Sequence, residues 1–283
     1  MDGFRLNDGN VIPQVGFGVF LIPNDGSTFQ AVSSALKAGY RHIDTAAAYF
    51  NEEEVGEAVR QSGIKREEIF VTSKLWLQDY GYENAKKGID TSLKKLGLDY
   101  MDLYLLHQPY FDVCGAWKAL EEAQKSGKIK SIGVSNMTVK FFSDFIKNVD
   151  VMPAVNQVEC NPYCQQKELR KLLKKYNVVA EAWYPFGHGN KELLNNKLLL
   201  DLAQKYHKDT AQIILRWMLQ EGIVSLPKST SEVHIKSNID IFDFCLDEAE
   251  LKAVRSIDKN VCSHNPETPG FGEMLLNNFK VHA

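Results

Sequence analysis

The sequence predicts an α/β fold, a closed (β/α)₈ TIM barrel, on three observations. Short, strongly apolar segments alternate with amphipathic stretches along nearly the whole chain. Eight such units can be counted, joined by connections of a few residues. No Pro/Gly/Ser-rich linker, charge block or low-complexity tract interrupts them. Apolar strands alternating with amphipathic helices imply a parallel sheet covered on both faces. Eight of them imply closure into a barrel, with a doubly wound open sheet as the runner-up. The 283 residues suit one barrel of about 250 residues better than two domains of about 150. One domain spanning 1–283 is therefore expected.

The elements follow in order. Asp8-Gly9 is a hairpin turn between two short apolar runs. Val15–Phe20 is a glycine-containing strand; Leu21 stands where a dinucleotide fingerprint needs its third glycine, which excludes that motif. Helix 27–38 begins at Ser27 and ends at Gly39, and strand 40–43 follows. Helix 52–61 ends near Gly63, strand 68–73 leads to Lys74, and helix 82–96 closes at Gly97. Strand 101–106 leads to His107, helix 113–125 stops before Gly127, and strand 129–134 leads to Ser135-Asn136. Helix 139–146, strand 153–158 with Asn156 and Gln157, helix 167–176 and strand 178–182 before Trp183 come next. Extra helices are read late in the chain, over 197–206, 210–220, 232–239 and 247–257, with strand 223–226 and Lys228-Ser229 between them.

Composition narrows the function. A net charge of −3 with both signs intermixed supplies no basic stripe for nucleic acid. No apolar run approaches the roughly 18 residues of a membrane span, and residues 1–5 do not read as a leader. Five cysteines in a long chain suggest a reduced, cytoplasmic setting. Cys160 and Cys164, four apart without a nearby His, read as two ordinary thiols and not as a metal site.

In a barrel of this kind the strand carboxyl ends converge on one face. Here they carry Asp44, Lys74, His107, Ser135, Asn136, Gln157, Trp183 and Lys228, with Tyr49 in the loop after Asp44. A lone Lys or His after a strand is usually a solvated loop residue; the convergence of the whole set is the signal. Tyr is a poor acid near pH 7, with a reference pKa of about 10. An ammonium beside it favours the phenolate, an Asp beside the Lys holds that charge, and a His can bond a carbonyl oxygen. The set suits carbonyl reduction, with hydride from a cofactor and a proton from Tyr49. Two other readings use the same residues: a non-catalytic nicotinamide-binding sensor or structural protein, and an aldolase with Lys74 as Schiff-base nucleophile.

These motifs resemble the aldo-keto reductase family. The resemblance is carried by Gly39-Tyr40-Arg41-His42-Ile43-Asp44-Thr45-Ala46 with Tyr49, Thr72-Ser73-Lys74-Leu75-Trp76, and Leu106-His107-Gln108-Pro109. Gly133-Val134-Ser135-Asn136, Asn156-Gln157-Val158-Glu159 and Leu226-Pro227-Lys228-Ser229 complete it. It is most similar to the prostaglandin F synthase and 2,5-diketo-gluconate reductase branch. The resemblance implies a barrel whose N-terminal hairpin closes the bottom, a monomer, and NADPH/NADP+ as cofactor with NADH secondary. It implies Tyr49 as general acid, Lys74 lowering its pKa, Asp44 pairing with Lys74, and His107 orienting the substrate carbonyl. Ser135, Asn136 and Gln157 would hold the carboxamide of the nicotinamide, and Trp183 would stack on its ring. Tyr184, Pro185, Phe186 and Gly187 would cross the pyrophosphate, and Lys228, Ser229, His234 and Asn238 would meet the 2′-phosphate end.

Three departures from the family pattern bear on this. Tyr184 stands where a small hydroxyl residue is usual. His234 and Ser237 replace an Arg and a Glu, which weakens the expected preference for NADPH over NADH because His is mostly neutral near pH 7. Gln108 follows His107 where an aromatic is common. The substrate wall would draw on Phe20, Trp76, Gln108 and a C-terminal tail including Phe271. With Pro266, Pro269, Gly270 and Gly272, that tail is expected to be a mobile, open loop.

Overall fold

The computed structural model describes residues 3–263 and 265–282. Strands β1 (Gly3–Arg5) and β2 (Val11–Pro13) form an antiparallel hairpin. Its turn needs Gly9, whose φ of 91° lies in the left-handed region. Eight parallel strands follow: β3 (Phe17–Gly18), β4 (His42–Asp44), β5 (Phe70–Leu75), β6 (Met101–Leu106), β7 (Ile129–Ser135), β8 (Val155–Glu159), β9 (Val179–Trp183) and β10 (Ile223–Ser225). Each pairs with its neighbours in chain order. Val15 bridges Ser225 in parallel, and Gly16 N donates to Ser225 O at 2.9 Å, which closes the cylinder. The fold is a (β/α)₈ barrel.

Helices α1 (Ser27–Ala38), α2 (Glu52–Gln61), α3 (Tyr82–Leu96), α4 (Val113–Lys125), α5 (Val139–Phe145) and α6 (Lys167–Lys175) cover β3–β9 from outside. The short α7 (Lys191–Leu194), then α8 (Lys197–Tyr206) and α9 (Thr210–Gln220), lie between β9 and β10. Helices α10 (Glu232–Ile239), α11 (Glu248–Ser256) and α12 (Phe271–Asn278) end the chain. Capping boxes at Asp209/Gln212 and Asp247/Glu250 start α9 and α11 by satisfying backbone N–H groups that the helix leaves open. Strands β5 and β6 are buried at every position, as a strand covered by helices outside and side chains inside must be.

The hairpin decides which end of the barrel is free. Leu6 and Ile12 pack with Phe70, Leu103, Val155 and Val224. Asn7 donates to Pro153 O at 2.8 Å and Asn10 to Ser131 Oγ at 3.0 Å. Most of these partners lie at the amino-terminal ends of the strands, so that end is plugged. The carboxyl ends remain open.

Three expectations are corrected. First, Asp44, Lys74, Ser135 and Trp183 are strand residues rather than the first residues of loops, whereas His107, Asn136 and Lys228 do follow their strands. Strand β4 is His42–Asp44 instead of 40–43, and β5 runs through Lys74, which pairs in register with Leu105. The ladder continues because these side chains point into the barrel, where the backbone still needs partners. Second, the tail expected as an open loop forms α12 and packs back onto the barrel. Trp76 Nε1 donates to Phe279 O at 2.6 Å, Tyr110 Oη to Pro266 O at 2.6 Å, and Val281 N to Gln78 Oε1 at 2.9 Å. The prolines and glycines before α12 hid the apolar Phe271, Leu275 and Leu276.

Third, Cys164 is not an ordinary thiol. It is disulfide-bonded to Cys262, 98 residues away, with Cα atoms 5.2 Å apart. Spacing cannot reveal such a pair; only the fold brings the two together. Cys114, Cys160 and Cys245 are free. Replacing both bonded cysteines by serine is expected to lower stability by about 2–4 kcal/mol, mainly by freeing the unfolded chain. Thermal melts check this: a dithiol reductant should lower the wild-type midpoint and leave the double variant's unchanged.

Candidate active site

At the open end the side chains meet in an order set by the strands. Lys74 on β5 and Asp44 on β4 are almost wholly buried, and Lys74 Nζ donates to Asp44 Oδ1 at 2.6 Å. The same ammonium donates to Thr45 O at 2.9 Å and to Tyr49 Oη at 3.3 Å. Tyr49 sits on a single 3₁₀ turn, Ala47–Tyr49, after β4. Buried Asn51 anchors that turn by donating to Val19 O at 3.1 Å and Ile22 O at 3.0 Å, and by accepting from Thr45 Oγ1 at 2.8 Å. Tyr49 is thus held from two loops.

Electrostatics give each group a protonation state. Burial disfavours the Lys74 ammonium, but Asp44 and Tyr49 outweigh it and hold the group above the ordinary lysine value. Burial raises Asp44, against the pull of Lys74 and of the Gln157 amide. Burial also dominates at Tyr49: its phenol is pushed up to about 12, with Lys74 opposing. The expectation that Lys74 lowers the Tyr49 pKa is therefore met only as an opposing pull, and the phenol keeps its proton at neutral pH. His107 is driven well below the usual imidazole value by burial and by Lys74, so its ring is neutral. That ring stands edge-on to Trp76 at 5.0 Å and to Tyr49 at 5.6 Å.

Opposite these groups lies a polar wall. Ser135 Oγ donates to Gln157 O at 2.8 Å. Asn136 takes a left-handed φ of 59°, which Asn tolerates better than most residues, and its Nδ2 donates to His107 O at 3.1 Å. Trp183 Nε1 donates to Asn136 Oδ1 at 3.0 Å, which orients the indole. Gln157 Nε2 donates to Asp44 Oδ2 and to Glu181 Oε2, each at 2.8 Å.

These walls enclose a cleft of about 570 Å³, lined by Asp44, Tyr49, His107, Ser135, Asn136, Gln157, Trp183, Tyr184, Pro185, Phe186 and Lys228. The size suits a small-molecule site. Phe20, Trp76 and Gln108 line it as expected, and Lys74 lies beneath its floor. Gly187, Ser229, His234 and Asn238 do not line it: His234 is exposed and Asn238 is buried. Ser237 is turned to Asp209 Oδ2 at 2.6 Å. Phe271, expected in the substrate wall, packs on Tyr110 at 6.2 Å instead, while Leu275 and Phe279, about one and two turns further on, line the cleft. Those two, with Ser263, were missed because nothing in the tail's pattern announced a helix.

Gly18, Leu21, Ala48 and Leu226 also line the cleft without having been singled out, and beneath it another missed residue is Glu181, wholly buried in the barrel interior with His42 Nε2 at 3.7 Å. Its signal was a lone acid in an otherwise apolar strand. His42 donates to or accepts from Thr72 Oγ1 at 3.0 Å, and burial with Lys74 holds its pKa down at about 3, against 6.5 ordinarily. Between those values the unfolded chain binds a proton that the folded one refuses. The contribution of His42 is complete above about pH 6.5 and is lost as pH falls through about 3, roughly 5 kcal/mol in all. A His42→Gln variant should show a shallower acid limb than wild type in denaturant melts taken from pH 7 to pH 3.

The comparisons with known proteins can be set on this geometry. The model of the aldo/keto reductase family matches residues 15–259. The chain belongs to the aldo/keto reductase family. A glyoxal reductase of Bacillus subtilis is 45% identical over 260 residues, 92% of this chain and 94% of that protein. Among solved structures, an aldo/keto reductase from Brucella melitensis superposes with a TM-score of 0.87 at 47% identity, covering 90% of this chain and 99% of its own. A silkworm (Bombyx mori) aldo-keto reductase in complex with NADP superposes with a TM-score of 0.86 at 36% identity, covering 95% of each. This aldo/keto reductase is therefore an oxidoreductase of carbonyl compounds, and none of its described helices is long and apolar enough to cross a membrane.

Proposed function

We propose that this aldo/keto reductase reduces small aldehydes, ketones and dicarbonyls with NADPH, and that Tyr49 delivers the proton. The observation that carries the reading is the Asp44–Lys74–Tyr49 chain, at 2.6 and 3.3 Å, ending in a protonated phenol beside neutral His107 in one cleft. NADPH, when bound, supplies the hydride.

The residues present fit that cofactor. Ser135, Asn136 and Gln157 offer a polar edge for a carboxamide, and Trp183, held by Asn136, offers a flat face. Lys228 lines the same cleft and is exposed, with the start of α10 close in sequence. A substrate carbonyl oxygen meets Tyr49 Oη and His107. Tyr49 releases its proton as negative charge grows on that oxygen, and the Lys74 ammonium stabilises the phenolate left behind. Phe20, Trp76 and Phe279 exclude water from the side walls. Glyoxal reduction by the Bacillus subtilis relative makes a small dicarbonyl the first substrate to try.

The aldolase reading loses ground on one point. Lys74 is pinned as an ammonium by three acceptors, so it has no free lone pair for a Schiff base. Nicotinamide absorbance, followed with NADPH and glyoxal, tests the proposal.

Cofactor choice rests on Lys228, because His234, exposed, stands where the family usually has an Arg and lacks its planar fork. Lys228→Met is expected to weaken NADPH binding about tenfold, the scale of one charged contact, while leaving NADH binding nearly unchanged. Fluorescence titration with both cofactors checks this; equal effects on the two would remove Lys228 from the 2′-phosphate.

A further inference from the structure

We infer that Glu181 is a positioning residue that, together with Asp44, fixes the side-chain amide of Gln157 so that its oxygen is the atom presented to the cofactor. The inference rests on the reading of Gln157 as a partner of the nicotinamide carboxamide.

Gln157 and Glu181 are direct neighbours in the register of β8 and β9, and both are buried in the barrel. Gln157 Nε2 has two hydrogens and meets two carboxyl groups, Asp44 Oδ2 and Glu181 Oε2, each at 2.8 Å. One such bond would leave the amide free to turn about the line to Asp44. Two bonds define its plane. With both hydrogens committed, Oε1 is the polar atom that Gln157 has left for the cleft it lines. The Asp44 carboxylate is already engaged by Lys74 on its other oxygen, so the amide cannot flip without setting two oxygens against each other.

A second carboxyl in this interior is costly on packing grounds alone. Among the described residues Glu181 makes no ion pair with Lys74 or Arg, and a valine or leucine would fill the space without desolvating a charge. Glu181 Oε1 has no hydrogen-bond partner, and burial pushes the group up to about 8. A neutral carboxyl still accepts the Gln157 hydrogen through its carbonyl oxygen. It does so without placing a second negative charge beside Asp44. What Glu181 offers that an apolar residue does not is that one acceptor.

The test compares NADPH dissociation constants and saturated kcat for wild type, Glu181→Leu, Glu181→Gln, Gln157→Ala and the Gln157→Ala/Glu181→Leu double variant. Glu181→Leu should weaken NADPH about tenfold while kcat at saturating cofactor stays within about threefold. Glu181→Gln keeps an acceptor oxygen and should restore affinity to within about threefold of wild type. The double variant should bind no worse than Gln157→Ala, because Glu181 acts through Gln157. If Glu181→Leu does not fold, Glu181→Met, closer in length and without a strong acceptor, replaces it. Unchanged affinity in the Leu or Met variant, while Gln157→Ala weakens binding, overturns the inference alone. So does a Gln variant as weak as the Leu variant. Unchanged affinity in Gln157→Ala overturns the reading of Gln157 itself, and the inference with it.

Discussion

Tyr49→Phe is expected to lower kcat by about 10²–10⁴-fold, the usual range for loss of a placed general acid, with NADPH affinity within about twofold of wild type. The substitution removes one oxygen and leaves the ring, which packs on Phe20 at 4.9 Å and stands edge-on to His107. Asp44, Lys74 and the cofactor wall keep their bonds to one another. Single-turnover measurements with saturating NADPH isolate the chemical step. A variant that retains more than about a tenth of wild-type kcat would pass the proton donor's role to His107, whose neutral ring is the nearest alternative.

Lys74→Met should damage both stability and activity. The ammonium is wholly buried and bonded to Asp44 Oδ1, Thr45 O and Tyr49 Oη. Its removal leaves Asp44 as a buried carboxyl without its cation, which costs about 3–5 kcal/mol in comparable cases. Adding Asp44→Asn to Lys74→Met should recover much of that stability, because the remaining group is then neutral. It should recover no activity, because the charge that stabilises the Tyr49 phenolate is still missing. Denaturant melts and turnover measured on the same three proteins separate the two effects. Recovery of both would mean that Lys74 serves the fold alone.

The barrel and its candidate site residues were legible because they rest on local signals. Eight apolar strands, glycine helix stops and polar residues at strand ends each need only a few neighbouring positions to be seen. Asp44, Tyr49, Lys74 and His107 could be singled out because three neighbouring strands of a parallel barrel, β4 to β6, must deliver their ends to one face. What escaped depends on contacts between distant segments. Cys164 meets Cys262 only in the folded chain. Phe279 meets Trp76 from 203 residues away in sequence, and the prolines before α12 spoke for a loop. Glu181 was overlooked for a different reason: an acid within an apolar strand carries no label until Gln157 is seen donating to it. The strand boundaries shifted by one or two residues for a physical cause, since Asp44, Lys74 and Trp183 keep their backbone in the ladder while their side chains line the cleft or lie beneath it. Lys74 pulls the Tyr49 pKa down as the sequence suggested, but burial, invisible in sequence, pushes it up by more.

The most direct measurement follows nicotinamide absorbance as the protein is mixed with NADPH and glyoxal. Steady loss of the reduced cofactor with stoichiometric formation of the alcohol, suppressed by Tyr49→Phe although NADPH still binds, is the result the proposed function predicts. NADPH binding without turnover of glyoxal or any other small carbonyl would contradict it and leave the cleft as a nicotinamide-binding site without this chemistry.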